Sequence, residues 1–222
     1  MTTVGIIGSG MIGGTVARLS VAAGHHVVVS NSRGPETLAE LVAELGPLAT
    51  AGPAEQAAEA GDLVVVSIPV KAFSEVPVKP LAGKPVLDTG NYYPQRDGHI
   101  EELEVGAITS SGLLQRDLPD ARVVKVFNNI FFKHLRSLAR PHGAADRSAL
   151  PIAGDDALAK AAVTAFLDSM GYDAVDAGPI AESWRQEPGT PAYGTPYGPF
   201  SDEAGTPASA AKIHIALVGA YR

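Results

Sequence analysis

The residues with the clearest chemical spacing are Gly8-Ser9-Gly10-Met11-Ile12-Gly13, a GxGxxG run followed at once by Gly14. In a chain with 24 glycines the spacing alone says little. Its position says more. It follows the apolar run 4–7 and opens a helical pattern in which Ile12, Val16, Leu19 and Ala23 share one face, with Gly24 as the stop signal. A strand, a glycine turn and a helix in this order form a phosphate cradle. The first glycine permits the tight turn, the second admits a pyrophosphate to the backbone N–H groups, and the third lets helix and strand pack closely. The helix N-terminus adds partial positive charge. The competing reading is a glycine-rich turn without a ligand.

The end of the second apolar run decides which nucleotide suits such a cradle. Sites for the unphosphorylated dinucleotide place Asp or Glu there, about 20 residues on, against the ribose hydroxyls. This chain has Ser30-Asn31-Ser32-Arg33-Gly34, and no carboxylate before Glu36. An acid would repel a 2′-phosphate, whereas Arg33 can pair with one through charge-assisted hydrogen bonds. Ser30, Asn31 and Ser32 can add further hydrogen bonds. The expectation is NADP(H) rather than NAD(H), the alternative being that Arg33 is a solvated turn residue.

Later strand ends should border the same crevice, because ligands of open α/β sheets bind beyond the carboxyl ends of the strands. They supply Ser67-Ile68-Pro69, Thr89-Gly90-Asn91 and Asn128-Asn129-Ile130. Pro69 could wall a nicotinamide or simply end its strand. Asn91 and Asn128 can hold a carboxamide without titrating, although asparagine is also a turn former.

Other chemistry lacks its residues. The chain has no cysteine, which removes disulfides, thiolate nucleophiles and cysteine-bound metals. Its six histidines (25, 26, 99, 134, 142, 214) show no ligand spacing, and neither HExxH nor a GxSxG elbow occurs. No Tyr-x-x-x-Lys dyad is present either, so no side chain stands out as a proton donor, which fits a protein that mainly positions two bound molecules. Formal net charge is −7, which argues against nucleic acid or an anionic membrane as a partner. No signal peptide or membrane-length apolar run is visible, so a cytoplasmic protein acting on a small-molecule substrate is expected.

The elements that must hold these residues read as an α/β fold, a Rossmann-type doubly wound, mostly parallel sheet. Strands are expected at 4–7, 26–30, 63–68, 85–88, 105–110 and 122–127, several apolar without alternation as in a sheet covered on both faces. Residues 1–140 form the nucleotide-binding domain in this reading. Residues 141–222 form a small C-terminal α/β extension: a strand at 151–153, a helix near 155–170, a strand near 172–175, a Gly/Pro-rich arm at 187–207 and a terminal helix. The arm is either a flexible loop or an ordered cover over the site or across a dimer, since its aromatic residues favour burial. Thr206 and Pro207 resemble the cap and first turn of the last helix.

Taken together, Gly8 to Gly13, the Ser30 to Gly34 turn, Ser67-Ile68-Pro69, Pro151-Ile152-Ala153-Gly154-Asp155-Asp156 and Asp176-Ala177-Gly178-Pro179-Ile180 resemble the deazaflavin (coenzyme F420)-dependent NADP reductase family over most of residues 3–183. The resemblance implies a homodimer, NADP(H) on the glycine turn and F420 stacked on the nicotinamide. It assigns Ser9, Met11, Ile12, Ser32 and Arg33 to NADP, and Asn128, Asn129 and Ile130 to the reacting rings. Asn128-Asn129 stands where family members carry His-Thr, bulky Phe131 and Phe132 follow, and the long arm replaces a short ending. The expected function is hydride transfer between NADP(H) and F420 or a similar flavin-like acceptor. The alternatives are an NADPH-dependent reductase of a small carbonyl or imine, for which Lys133 or Lys212 would have to serve as the acid, and a non-catalytic NADPH-sensing module.

Overall fold

Valine- and isoleucine-rich runs become strands whose two faces are both covered. The computed structural model describes residues 1–221. Its strands are β1 (Thr3–Ile7), β2 (His26–Ser30), β3 (Ala49–Ala51), β4 (Leu63–Val66), β5 (Pro85–Asp88), β6 (Arg122–Lys125), β7 (Ala149–Gly154) and β8 (Asp173–Asp176). They form one sheet in the order β3-β2-β1-β4-β5-β6-β7-β8, parallel throughout except between β6 and β7. The α-helices are α1 (Met11–Ala22), α2 (Ala39–Leu45), α3 (Ala54–Ala60), α4 (Pro94–Asp97), α5 (Glu101–Glu104), α6 (Ser110–Asp117), α7 (Phe132–Ser137), α8 (Ala157–Ser169) and α9 (Ala210–Val218). The fold is the expected α/β Rossmann-like one.

Strand pleating sends alternate residues to opposite layers. Ile6, Val29 and Val65 pack with Val16 and Ala17 of α1. Val28, Val64 and Val66 pack with Ala57 and Ala58 of α3. Each buried valine or isoleucine contributes about 1.5–3 kcal/mol. Helix α3 can come so close because Gly5 has no side chain: a Cβ there would lie 2.0 Å from the Ala57 carbonyl oxygen. From β1 the chain winds outward through β2 and β3, then crosses back to place β4 on the other side of β1. That reversal opens a crevice at the carboxyl ends of β1 and β4.

Three local expectations are corrected. Residues 105–110 are not a strand. The Glu102 carbonyl takes the amides of Ala107 and Ile108 in a turn, and the Thr109 side chain then caps α6 by accepting from the Gly112 amide at 3.0 Å. The last helix begins later than its Thr-Pro signal suggests. Ala208 is tied to β7, its carbonyl accepting from the Ala149 amide and its amide donating to Ser148 Oγ, so Ser209 caps the helix. Finally, the run expected at 63–68 as the third strand is β4 (Leu63–Val66), the fourth, because β3 and α3 precede it.

Candidate active site

The glycine turn is built as its spacing requires. Gly8 has φ +97°, a left-handed conformation open to glycine at no steric cost. A Cβ on Gly13 would lie 1.9 Å from the Gly8 carbonyl oxygen, so this position lets α1 start directly against the turn. At Gly10 a Cβ would meet nothing within 4 Å. The protein therefore has no packing reason for glycine at position 10, while a pyrophosphate does. Helix α1 has no side-chain cap and no acid in its first turn. Its leading amides are left for an anion.

These features predict opposite outcomes for two alanine substitutions. Gly10→Ala should leave Tm nearly unchanged and weaken NADPH binding at least about tenfold, which corresponds to about 1.4 kcal/mol. Gly13→Ala should destabilise the fold by about 1–3 kcal/mol through overpacking. Thermal melts with NADPH titration check both.

Two cavities meet at this turn. The first, about 590 Å³, is lined by Gly8, Ser9, Gly10, Ser30, Asn31, Ser32 and Arg33 and floored by Ser67, Ile68 and Pro69. The second, about 410 Å³, shares Gly10, Ser67, Ile68 and Pro69 and continues past Met11 and Ile12 to Asn91, Asn128, Asn129 and Ile130. Fifteen of the sixteen residues singled out by sequence for cofactor and substrate thus line one continuous trough, and the sixteenth, Gly13, packs against the Gly8 carbonyl.

Within the first cavity the loop after β2 is pre-shaped. Asn31 Oδ1 accepts from the Arg33 amide at 2.9 Å and Asn31 Nδ2 donates to Thr37 Oγ1 at 2.8 Å. The Asn31 amide is engaged in holding the turn, leaving Ser32 and Arg33 exposed. Ser30 is buried and donates to the Ile6 carbonyl, so its hydroxyl is taken by the sheet rather than by a ligand.

In the second cavity the asparagines hold the wall together. Asn128 Nδ2 donates to Asn91 Oδ1 and to the Gln186 carbonyl, and Asn91 Nδ2 donates to the Asn128 carbonyl. Asn129 Nδ2 donates to the Ala192 carbonyl, while its buried Oδ1 has no partner. Phe127, just before them, is fully buried at φ +65°, a strained conformation that turns this pair into the trough. The Gly/Pro-rich arm packs against this cavity and contributes Tyr193 and Phe200 to its lining. Tyr197 is fully buried and donates to the Ala149 carbonyl, and the Gly194 amide donates to the Asn129 carbonyl.

Behind the wall lies an ion cluster. Lys125 is fully buried and donates to the Gly90 carbonyl, Ser110 Oγ and Ser111 Oγ, with the carboxylates of Asp88 and Glu187 each 3.6 Å away. It links the end of β5 to the start of the arm. The two lysines named from the sequence as candidate acids lie elsewhere: Lys133 pairs with Glu203 and Lys212 donates to the Pro196 carbonyl.

Residues 3–92, the part that builds the phosphate turn and the Arg33 loop, match the family of coenzyme F420-dependent NADP oxidoreductases. Over those residues the chain is similar to that family. A 53-residue stretch is 43% identical to the protein YjhV of Escherichia coli (strain K12), covering 24% of this chain and 39% of that protein. Among solved structures, the hypothetical protein SMa0349 of Sinorhizobium meliloti is similar over 85% of this chain and 91% of its own, with a TM-score of 0.74 and 28% identity. A candidate F420-dependent NADP reductase of Arthrobacter sp. fb24 covers 82% and 87%, with a TM-score of 0.67 and 24% identity. An imine reductase of Aspergillus terreus shares the fold at a TM-score of 0.58 and 20% identity, over 82% of this chain and 56% of its own.

The F420-dependent family match ends at residue 92, short of the aromatic part of the trough. There the structure adds residues that the spacing did not reveal: Tyr93, Arg96, Phe131, Phe132, Tyr193 and Phe200. The hints in the sequence were the aromatic content of the arm and the bulky Phe131-Phe132 pair that follows the asparagines. Among the described residues no group of His, Asp and Glu could hold a metal ion, and no helix is long and apolar enough to cross a membrane.

Proposed function

We propose that the protein transfers a hydride between NADP(H) and coenzyme F420 or a similar flavin-like acceptor. The observation that carries this is the single trough running from the Arg33 loop over the open Gly10 cradle to an aromatic cavity. Arg33 and Ser32 take the 2′-phosphate, and the amides at the start of α1 take the pyrophosphate. Ile68 and Pro69 form the wall against which the nicotinamide lies, and the unpartnered Asn129 Oδ1 offers an acceptor to its carboxamide. When bound, NADPH supplies the hydride. Phe131, Phe132 and Phe200 line the space for a flat acceptor, with Phe131 and Phe200 ring centres 5.2 Å apart. In this reading residues 1–140 bind the nucleotide and 141–222 complete the acceptor side.

Mixing the protein with NADPH and oxidised F420, then with NADP and reduced F420, and following the deazaflavin absorbance tests the proposal. Turnover in either direction is expected. NADPH binding without turnover on F420 or on free flavins contradicts it. A second reading, an NADPH-dependent reductase of a small carbonyl or imine, draws on the modest 410 Å³ cavity and its tyrosine pair. Turnover on a carbonyl and imine panel alone favours it. A homodimer is part of the proposal, supported by Ile215, Val218 and Tyr221, which expose apolar surface along and just beyond α9.

A further inference from the structure

We propose that Tyr193, paired with Tyr93, is the catalytic acid that protonates the hydride acceptor; this rests on the hydride-transfer reading above and holds for either acceptor class. The two hydroxyl oxygens lie 2.6 Å apart, and both rings line the cavity beyond Pro69. They are 100 residues apart in sequence. Tyr93 stands just beyond β5, whereas Tyr193 is carried in by the arm. In such a pair one hydroxyl proton is engaged in the mutual hydrogen bond, and the other is free to be given away. With Tyr93 donating, the free proton is that of Tyr193.

The rest of the lining leaves few other donors. It contains no Asp, Glu, His or Lys, and Arg96 is its one charged residue. Arginine does not release a proton at working pH. The hydroxyls of Ser67 and Thr89 bond to each other at 3.1 Å, and aliphatic alcohols are far weaker acids than a phenol. Burial, and next the hydrogen bond to Tyr193, hold the Tyr93 hydroxyl well above the usual tyrosine range. Tyr93 therefore keeps its proton until a strongly basic centre forms beside the pair. Arg96 places its guanidinium carbon 5.0 Å from the Tyr93 ring centre and donates to the Asn91 carbonyl and to Asp97. It is placed to stabilise negative charge left on the pair.

The carbon of the acceptor receives hydride with its electron pair from NADPH, which is oxidised, and the acceptor's π pair moves to the conjugated nitrogen or oxygen. Tyr193 breaks its O–H bond to protonate that atom and takes a proton from Tyr93. Solvent returns the proton to Tyr93.

The test is Tyr193→Phe and Tyr93→Phe in the full chain. Tyr193→Phe should lower kcat about 10²–10⁴-fold, the range of a lost general acid, with the Kd for NADPH changed less than twofold. In the protein without ligands, 13Cζ-tyrosine NMR gives a readout independent of turnover. The resonance missing from Tyr93→Phe should titrate at lower pH in Tyr193→Phe than in the wild type, because a hydrogen bond that favours the neutral phenol is gone. Full kcat in Tyr193→Phe on an acceptor the wild type reduces, or a Tyr93 titration indifferent to Tyr193, overturns the acid while leaving the hydride-transfer reading standing. A wild type that binds NADPH yet reduces neither F420, flavins nor the carbonyl panel overturns both.

Discussion

Lys125→Met is expected to destabilise the protein by about 3–5 kcal/mol, the usual result of removing one partner of a buried ion pair. For a chain of this length that corresponds to a Tm loss of about 6–20 °C. The methionine fills nearly the same volume, so packing changes little. What is lost is the cation between Asp88 and Glu187, together with the donor to the Gly90 carbonyl. Asp88 is fully buried, and although it accepts from the Gly90 amide and Ser111 Oγ, its charge would stand uncompensated. Adding Asp88→Asn should recover part of the loss, since the two substitutions remove opposite charges from one network. Thermal melts of the single and double variants decide it. A Tm within about 2 °C of the wild type for Lys125→Met would show that the ammonium contributes nothing net.

That cluster also illustrates what the sequence could and could not convey. Arg122-Val123-Val124-Lys125 reads as a strand, and it is one, but nothing in four consecutive residues says that the lysine points inward onto carboxylates from β5 and the arm. Local patterns carried local features well. The glycine turn, the strand His26–Ser30 and the Arg33 loop are each specified by neighbours in the chain, and the structure forms them there. Strand β3 and helix α3 escaped because their apolar content is mostly alanine, too small to mark a periodic face; α3 is held instead by its close approach to Gly5. The 105–110 segment misled because Val105 and Ile108 resemble strand residues, yet Val105 is exposed and Thr109 works as a cap. The acceptor side was least legible: Tyr93, Tyr193 and Phe200 meet only through the fold of the arm, and no spacing rule joins them.

Arg33→Ala is expected to weaken NADPH binding about 10–150-fold, equivalent to about 1.5–3 kcal/mol for hydrogen bonds to a charged group. Binding of NADH should change by no more than about twofold, a difference below 0.5 kcal/mol. The asymmetry follows from the loop geometry. Asn31 holds the backbone of Arg33 through its amide, so alanine keeps the turn and removes only the guanidinium. Stability should be unaffected, because Arg33 is exposed and outside the core. Arg33→Lys should recover only part of the affinity, since an ammonium cannot repeat a bidentate contact. Calorimetric titrations with both nucleotides are the check, and equal losses for NADPH and NADH would mean that the residue shapes the loop and does not read the phosphate.

The most direct test of the nucleotide assignment is 31P NMR of NADP bound to the wild type and to Arg33→Ala across the acid range. A phosphate monoester takes up its second proton near pH 6, and a guanidinium beside it favours the dianion. The expected result is a bound 2′-phosphate resonance that stays in its dianionic position below the pH at which free NADP protonates, and that reverts towards the free behaviour in Arg33→Ala. A 2′-phosphate that titrates in the wild-type complex as it does in free solution contradicts the assignment.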